Sequence, residues 1–249
     1  MREGLPGGRG EVGLFVTCLV DLMRPSIAFA ALRLIEAAGY KAVVPTGQTC
    51  CGQPGYNAGD AVAARMLARR VIAEFEHFPF VVAPSGSCAG MIRTHYPDLF
   101  ADDPEWRGRA EALASRTFEL TQFLVDVAGM NAVPGDFAGL ITYHDSCAGL
   151  RELGVKRQPR ALIDGMPGVE RVELTECEEC CGFGGLFSVK YPDISGAIVQ
   201  RKCDNIRASG AQAVVLGDLG CMMNIEGRLR RNGDEATQVI HVAELLAGK

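Results

Sequence analysis

Eight of the ten cysteines in this 249-residue chain fall into two sets of four. The first set is Cys18, Cys50, Cys51 and Cys88; the second is Cys147, Cys180, Cys181 and Cys221. Each set holds one Cys-Cys-Gly phrase between two lone cysteines. In the first set 31 residues separate Cys18 from Cys50 and 36 separate Cys51 from Cys88; in the second the spacings are 32 and 39. Matching cysteines are offset by 129, 130, 130 and 133 positions. Chance does not keep four cysteines in step over such a distance, so the chain is an internal duplication with one four-thiol set per copy.

Four thiolates converging on a point can hold a tetrahedral zinc ion or an iron–sulfur cluster. Structural zinc sites use tight pairs with two to four residues between ligands, whereas here one pair is vicinal and the other thiols are distant. Neighbouring residues of an extended chain point their side chains apart, which suits a body several atoms wide better than a single ion. The glycine after each pair lets backbone approach closely, and its N–H can donate to sulfur. This pattern favours iron–sulfur clusters, one per half, with zinc as the alternative; a four-thiol set is enough for a [4Fe–4S] cluster without fixing the nuclearity. Packing as small hydrophobes explains one or two cysteines, but not eight in register. A vicinal pair also makes a poor disulfide, because the bridge closes a strained ring.

Several other residues carry weaker signals. Cys203 falls inside a helical stretch and reads as core. Cys177 forms Cys-x-x-Cys with Cys180, as an extra ligand or redox thiol or as a loop cysteine without a role. His144 and Asp145 precede Cys147, where the first half has Val16-Thr17 before Cys18. That asymmetry points to chemistry at the second site and electron relay at the first, although a strand-end histidine is more often simply hydrogen-bonded. Gly86-Ser87-Cys88-Ala89-Gly90 has the form of a nucleophile elbow with cysteine for serine, but a hydrolase would not need the other thiols. No G-x-G-x-x-G survives inspection as a strand–turn–helix fingerprint, and there is no P-loop or H-E-x-x-H motif, so no catalytic residue is assigned and the electron chemistry falls to the thiolate-bound centres.

The elements that must position these thiols alternate. Gly13–Thr17, Lys41–Val44 and Phe80–Ala83 read as strands, with helices over Pro25–Ala38 and Asp60–Glu76 between them and Pro45–Gly59 as a loop. Residues 104–116 and 117–128 read as two helices or one kinked helix. Asn131–Gly139, rich in Gly and Pro, is the linker, and the halves are expected at 1–134 and 135–249. The pattern then restarts: strands over Leu140–Tyr143, Val169–Leu174, Ala213–Leu216 and near Gln238–Ile240, with helices over Pro159–Asp164, Ile194–Ser209, Met222–Arg231 and from Val242. This predicts an α/β protein of two duplicated, open, mostly parallel sheets related by pseudo-symmetry. Right-handed crossovers put all strand C-termini on one edge, where open α/β sheets hold ligands. Every cysteine of the two sets follows a strand, so the topology gathers thiols that are far apart in sequence.

Composition sets outer bounds. Halves of about 115–135 residues can each bury a core without disulfides. A formal charge of −5 leaves no basic footprint for nucleic acid. The Gly-rich opening, residues 1–11, is expected to fray and has no signal-peptide character. No apolar run is long enough to span a membrane. The expected compartment is a reducing cytoplasm, where ten cysteines mean metal or catalysis and not a disulfide frame.

The two Cys-Cys-Gly sets resemble the cysteine-rich CCG domain, found in heterodisulfide reductase subunits and the glycolate oxidase iron–sulfur subunit. FVTCLVDLMRP, GQTCCGQPGYN, APSGSCAGMI, ECCGFGGLFSVKYPDISGA and LGDLGCMMNIEGRLRR resemble, more narrowly, the lactate utilization protein A family of iron–sulfur oxidoreductases, from about Glu11 to Leu246. The resemblance implies an oxidoreductase subunit that acts in oxidation of L-lactate to pyruvate together with lactate utilization proteins B and C. It implies cluster ligation by Cys18, Cys50, Cys51, Cys88, Cys147, Cys180, Cys181 and Cys221. Heterodisulfide reductase copies carry a fifth cysteine, whose positions here are Met91 and Asn224. Glycolate oxidase-type relatives carry an N-terminal ferredoxin module that this chain lacks, so electrons pass to or from a redox partner chain.

Overall fold

The computed structural model describes residues 8–248; of the stretch expected to fray, residues 1–7 lie outside that range. Two four-stranded sheets form. The first contains β1 (Glu11–Leu14), β2 (Lys41–Val43), β3 (Phe80–Ala83) and β4 (Thr117–Glu119), in the order β2-β1-β3-β4. The second contains β5 (Gly139–His144), β6 (Val169–Glu173), β7 (Ala213–Leu216) and β8 (Gln238–His241), in the order β6-β5-β7-β8. Every pairing is parallel, so the mostly parallel sheets expected are wholly parallel among the described strands. The apolar central strands β3 (FVVA) and β7 (AVVL) are buried almost throughout, as helices on both faces require. The edge strand β6, VERVE, alternates charge with valine and stays partly exposed.

The register makes the duplication exact at the level of position. Val12 pairs with Phe80 at the start of β3, and Ile141 pairs with Ala213 at the start of β7. Counting on, Leu14 matches Tyr143 and Phe15 matches His144. The residue opposite His144 is therefore Phe15, and Val16-Thr17 correspond to Asp145-Ser146.

Several stretches differ from the sequence reading: Glu11 opens β1 although residues 1–11 are expected to fray, and the expected loop Pro45–Gly59 holds the helix Gln53–Ala58, which starts directly after the left-handed Gly52. β1 ends at Leu14 instead of reaching Thr17, because Thr17 turns out to cap the helix Cys18–Met23, its Oγ1 accepting the Val20 N–H at 3.4 Å. Residues 117–119 form the outer strand β4 and not a helix; the helix begins only at Leu120. A three-residue Thr-Phe-Glu strand is too short to show a period, and its pairing with Val81–Ala83 fixes it.

The halves share a core. Residues 120–127 of the first half pack against the helix Arg157–Asp164 of the second, and the terminal helix Val242–Ala247 packs against Ser26–Ala37 of the first. These contacts are mutual equivalents under a pseudo-two-fold axis. One continuous apolar cluster runs through them, from Val12, Leu34 and Phe123 to Ile141, Leu216 and Leu246. A second cluster, around Phe15, Phe75 and Tyr96, fills the far side of the first sheet and includes Cys51 and Cys88.

Candidate metal centres

Both thiol sets are built the same way. Each lone cysteine stands in the first turn of a helix that follows a strand: Cys18 after β1, Cys88 after β3, Cys147 after β5 and Cys221 after β7. The first turn of a helix presents unpaired N–H groups, which favour a thiolate. The caps hold these turns in place. Ser85 Oγ accepts the Cys88 N–H at 3.3 Å, and Asp218 Oδ1 accepts the Gly220 N–H at 3.1 Å.

The vicinal pairs follow the edge strands β2 and β6. Gly52 and Gly182 have φ of 85° and 84°, a left-handed turn that glycine allows. A Cβ on Gly182 would sit 2.7 Å from the Ser195 carbonyl oxygen, and one on Gly52 would sit 3.3 Å from that of Ala64. This turn aims N–H groups at sulfur: Gly52 N–H at Cys50 (3.5 Å), Gly182 N–H at Cys180 (3.2 Å) and Phe183 N–H at Cys181 (3.5 Å). The carbonyl of the second cysteine is anchored in both halves, by Tyr96 Oη on Cys51 O and by Asn224 Nδ2 on Cys181 O, each at 2.8 Å.

The four thiols of each set converge. Cys50 meets Cys18 at 3.6 Å while Cys51 meets Cys88 at 3.5 Å. In the second set the Cys181 and Cys221 sulfurs lie within 4.8 Å of each other, and Cys147 interacts with Cys180. Hydrogen bonds from the Cys18 and Cys51 thiols hold Cys50 down to about 2, while Cys18 and Cys51 are raised. Bonds from Cys147 and Cys181 do the same for Cys180, to about 2. The first member of each vicinal pair is thus the ready thiolate. All ten cysteines are unbridged. This donor set fits a thiophilic metal or cluster: four convergent sulfurs, N–H donors to them, and a half-buried pocket.

The remaining candidates separate cleanly. Cys203 is fully buried in the shared core, as its place in a helix suggested. Cys177 lies outside the four-thiol set, beside Asp145 and Glu173. Arg160 already engages that acidic group, with two bonds to the Asp145 carboxylate at 2.7 and 2.8 Å and two more to Glu173, which Arg171 also pairs. The Gly86–Gly90 segment is a helical turn whose cysteine abuts the Cys51 sulfur. Met91 is buried in the first core and Asn224 holds a carbonyl, so neither fifth-cysteine position offers a thiol.

His144 is fully buried, and neither ring nitrogen has a hydrogen-bond partner. Its ring nitrogen and the Cys181 and Cys221 sulfurs lie within 4.8 Å of one another. Burial, with Lys202 nearby, holds the ring's pKa down to about 3. Lys202 is itself buried, its ammonium on the Glu176 carbonyl. The sequence reading passed over Lys202, although its place among Val199, Cys203 and Ile206 on the apolar stripe of its helix was the available signal.

The sites face the seam between the halves. Asp218 Oδ2 accepts from Ser85 Oγ at 2.9 Å and from the Ser87 N–H at 3.0 Å. Ser85 and Asp218 each stand three residues before a lone cysteine, so the cap of one site is tied to the cap of the other. Nearby, Gly86 packs so closely on the Cys147 helix that a Cβ would lie 2.8 Å from Gly149 Cα.

Each half matches the family model of the cysteine-rich CCG domain, over residues 12–93 and 141–226. The class is therefore that of tandem cysteine-rich-domain proteins. Lactate utilization protein A of Exiguobacterium sp. is 46% identical over 238 residues, 95% of this chain and 96% of its own. That of Oceanobacillus iheyensis is 42% identical over 236 residues, again 95% of this chain and 96% of its own. The chain belongs to the lactate utilization protein A family. Among solved structures, a hypothetical protein from Helicobacter pylori shares the fold, with a TM-score of 0.66 at 11% identity over 98% of this chain and 49% of that one. Among the described residues, no helix is long and apolar enough to cross a membrane.

Proposed function

We propose that this chain is an iron–sulfur redox subunit of a cytoplasmic system that oxidises L-lactate to pyruvate. Its halves, 1–134 and 135–249, each hold one cluster, of the [4Fe–4S] type. Cys18, Cys50, Cys51 and Cys88 bind the first; Cys147, Cys180, Cys181 and Cys221 bind the second. A bound cluster supplies one-electron storage and transfer. The chain's own residues hold the sulfurs, aim N–H groups at them and limit water at the site. Electrons pass to or from partner chains of the lactate utilization protein B and C kinds.

The observation that carries this reading is the divergence of each vicinal pair. Cys50 and Cys51 also engage different lone cysteines, Cys18 and Cys88, so the vicinal pair offers its two sulfurs to two sides of one centre. The names of the relatives supply the lactate assignment. Heterodisulfide reductase-like or glycolate oxidase-like electron transfer is the same chemistry with other partners.

One observation favours zinc instead. The paired sulfurs lie 3.5 and 3.6 Å apart, near the roughly 3.8 Å edge of a tetrahedron with 2.3 Å zinc–sulfur bonds. A cluster needs the pairs to part further. Zinc would make the sites structural, contributing to folding. Anaerobic purification with iron, sulfide and zinc analysis decides between them. About eight irons and eight sulfides per chain, with a broad absorption near ~400 nm, support the redox subunit. Zinc that persists after anaerobic reconstitution with iron and sulfide removes it.

A further inference from the structure

Where the first thiol set is backed by a phenyl ring, the second is backed by an imidazole. Phe15 and His144 hold the same register position, and both are fully buried. A second substitution accompanies it. Gly52 rests on Ala64 and Leu67, and Gly182 on Ser195 and Ile198. Those contacts align the two helices with an offset of 131, as the difference between Ser195 and Ala64, or Ile198 and Leu67. Lys202 therefore matches Val71, which is fully buried. The first site has an apolar pair where the second has a nitrogen heterocycle and an ammonium.

Resting on the iron–sulfur reading above, we infer that His144 and Lys202 are positioning residues that make the second centre the more easily reduced of the two. A neutral imidazole carries one N–H and one lone pair. Buried polar groups find partners; neither His144 nitrogen meets one in hydrogen-bond geometry among the protein atoms, and one of the two lies within 4.8 Å of the Cys181 and Cys221 sulfurs. With four thiols already supplying ligands, the ring's role is to donate its N–H to a ligand sulfur. Hydrogen bonds to sulfur and nearby positive charge stabilise the added electron, so both residues raise the reduction potential. Phe15 and Val71 do neither.

The test is a redox titration of the full chain, loaded anaerobically and followed by electron paramagnetic resonance, with iron and sulfide counted in each sample. Wild type should show two separable potentials. His144→Phe, which copies the first site, should lower the higher one alone and bring the pair together. His144→Gln, which keeps an N–H, should restore part of the gap; Phe15→His should raise the other centre. If His144→Phe retains both clusters and leaves both potentials unchanged, the inference is wrong. Loss of the second cluster from both His144 variants would make the ring an obligatory ligand and overturn the role assigned here. A wild-type chain that takes up zinc and no cluster fails the underlying reading instead, and the metal count separates that failure from the others.

Discussion

Glu119 and His241 occupy the same place in the two halves. Each ends an outer strand, is almost wholly buried and caps the helix that follows, accepting an N–H from the residue two positions on: Thr121 for Glu119 at 2.7 Å, Ala243 for His241 at 3.1 Å. One site of the duplication thus carries an acid and the other a base. Burial pushes Glu119 up to about 7 and His241 down to about 4.

The two groups should tilt stability in opposite directions with pH. The unfolded carboxyl ionises near its ordinary 4.5, before the folded one, so Glu119 costs stability as pH rises from there to about 7. The unfolded imidazole gains its proton near 6.5, before the folded one, so His241 costs stability as pH falls from there to about 4. Over their shared window these slopes oppose each other in wild type. Glu119→Gln should unmask stability that rises with pH, and His241→Asn stability that falls. Thermal melts across that range, each taken relative to wild type, check the signs; slopes of the same sign would refute the assignment.

The two thiol sets should empty one at a time. Cys181→Ser is expected to halve the iron content by removing the second centre, and Cys51→Ser to do so by removing the first. Iron analysis with the absorption spectrum reads both outcomes. Loss of all iron from either variant would mean that the centres assemble as one unit.

The Cys-Cys-Gly turns should differ in their tolerance of a methyl group. Both glycines have a left-handed φ, so alanine costs about 1–3 kcal/mol at either. At Gly182 the added Cβ also meets backbone oxygen at 2.7 Å, against 3.3 Å at Gly52. Gly182→Ala should therefore lose more stability than Gly52→Ala, and lose the second centre with it. Denaturant melts and iron content measure the contrast, which an equal response would erase.

The Ser85–Asp218 tie should be cooperative. Removing either partner strands a buried group, at about 1–3 kcal/mol. Because Asp218 accepts two further N–H groups, from Ser87 and Gly220, and Ser85 one, from Cys88, Asp218→Ala should cost more than Ser85→Ala. In a double-mutant cycle the second substitution should add less than it does alone. Strict additivity in denaturant unfolding would show that the two caps act separately.

The cysteine register made the duplication legible, and the alternation of strand and helix patterns made the α/β class and the convergence at strand ends legible, because repeat spacing and crossover topology are both long-range regularities. Short strands were less visible. Thr117–Glu119 is too brief to show a period, yet the second half's strand before Val242, moved back by the duplication, points to it. His144 stood out by type, but its counterpart Phe15 emerged only from the strand register. The Ser85–Asp218 tie and the anchoring role of Asn224 depend on how the halves meet, and no local pattern encodes that.

The crossed helix contacts of the shared core carry a historical consequence. Residues 120–127 on Arg157–Asp164, and Val242–Ala247 on Ser26–Ala37, form the self-complementary contact of a two-fold homodimer. In such a dimer any change at one centre is copied to the other, so the centres stay identical. Joining the copies into one chain breaks that constraint while keeping the interface, and a phenylalanine can become a histidine on one side only. A single chain that carries both copies is free to differ between its two sites, as Phe15 and His144 do.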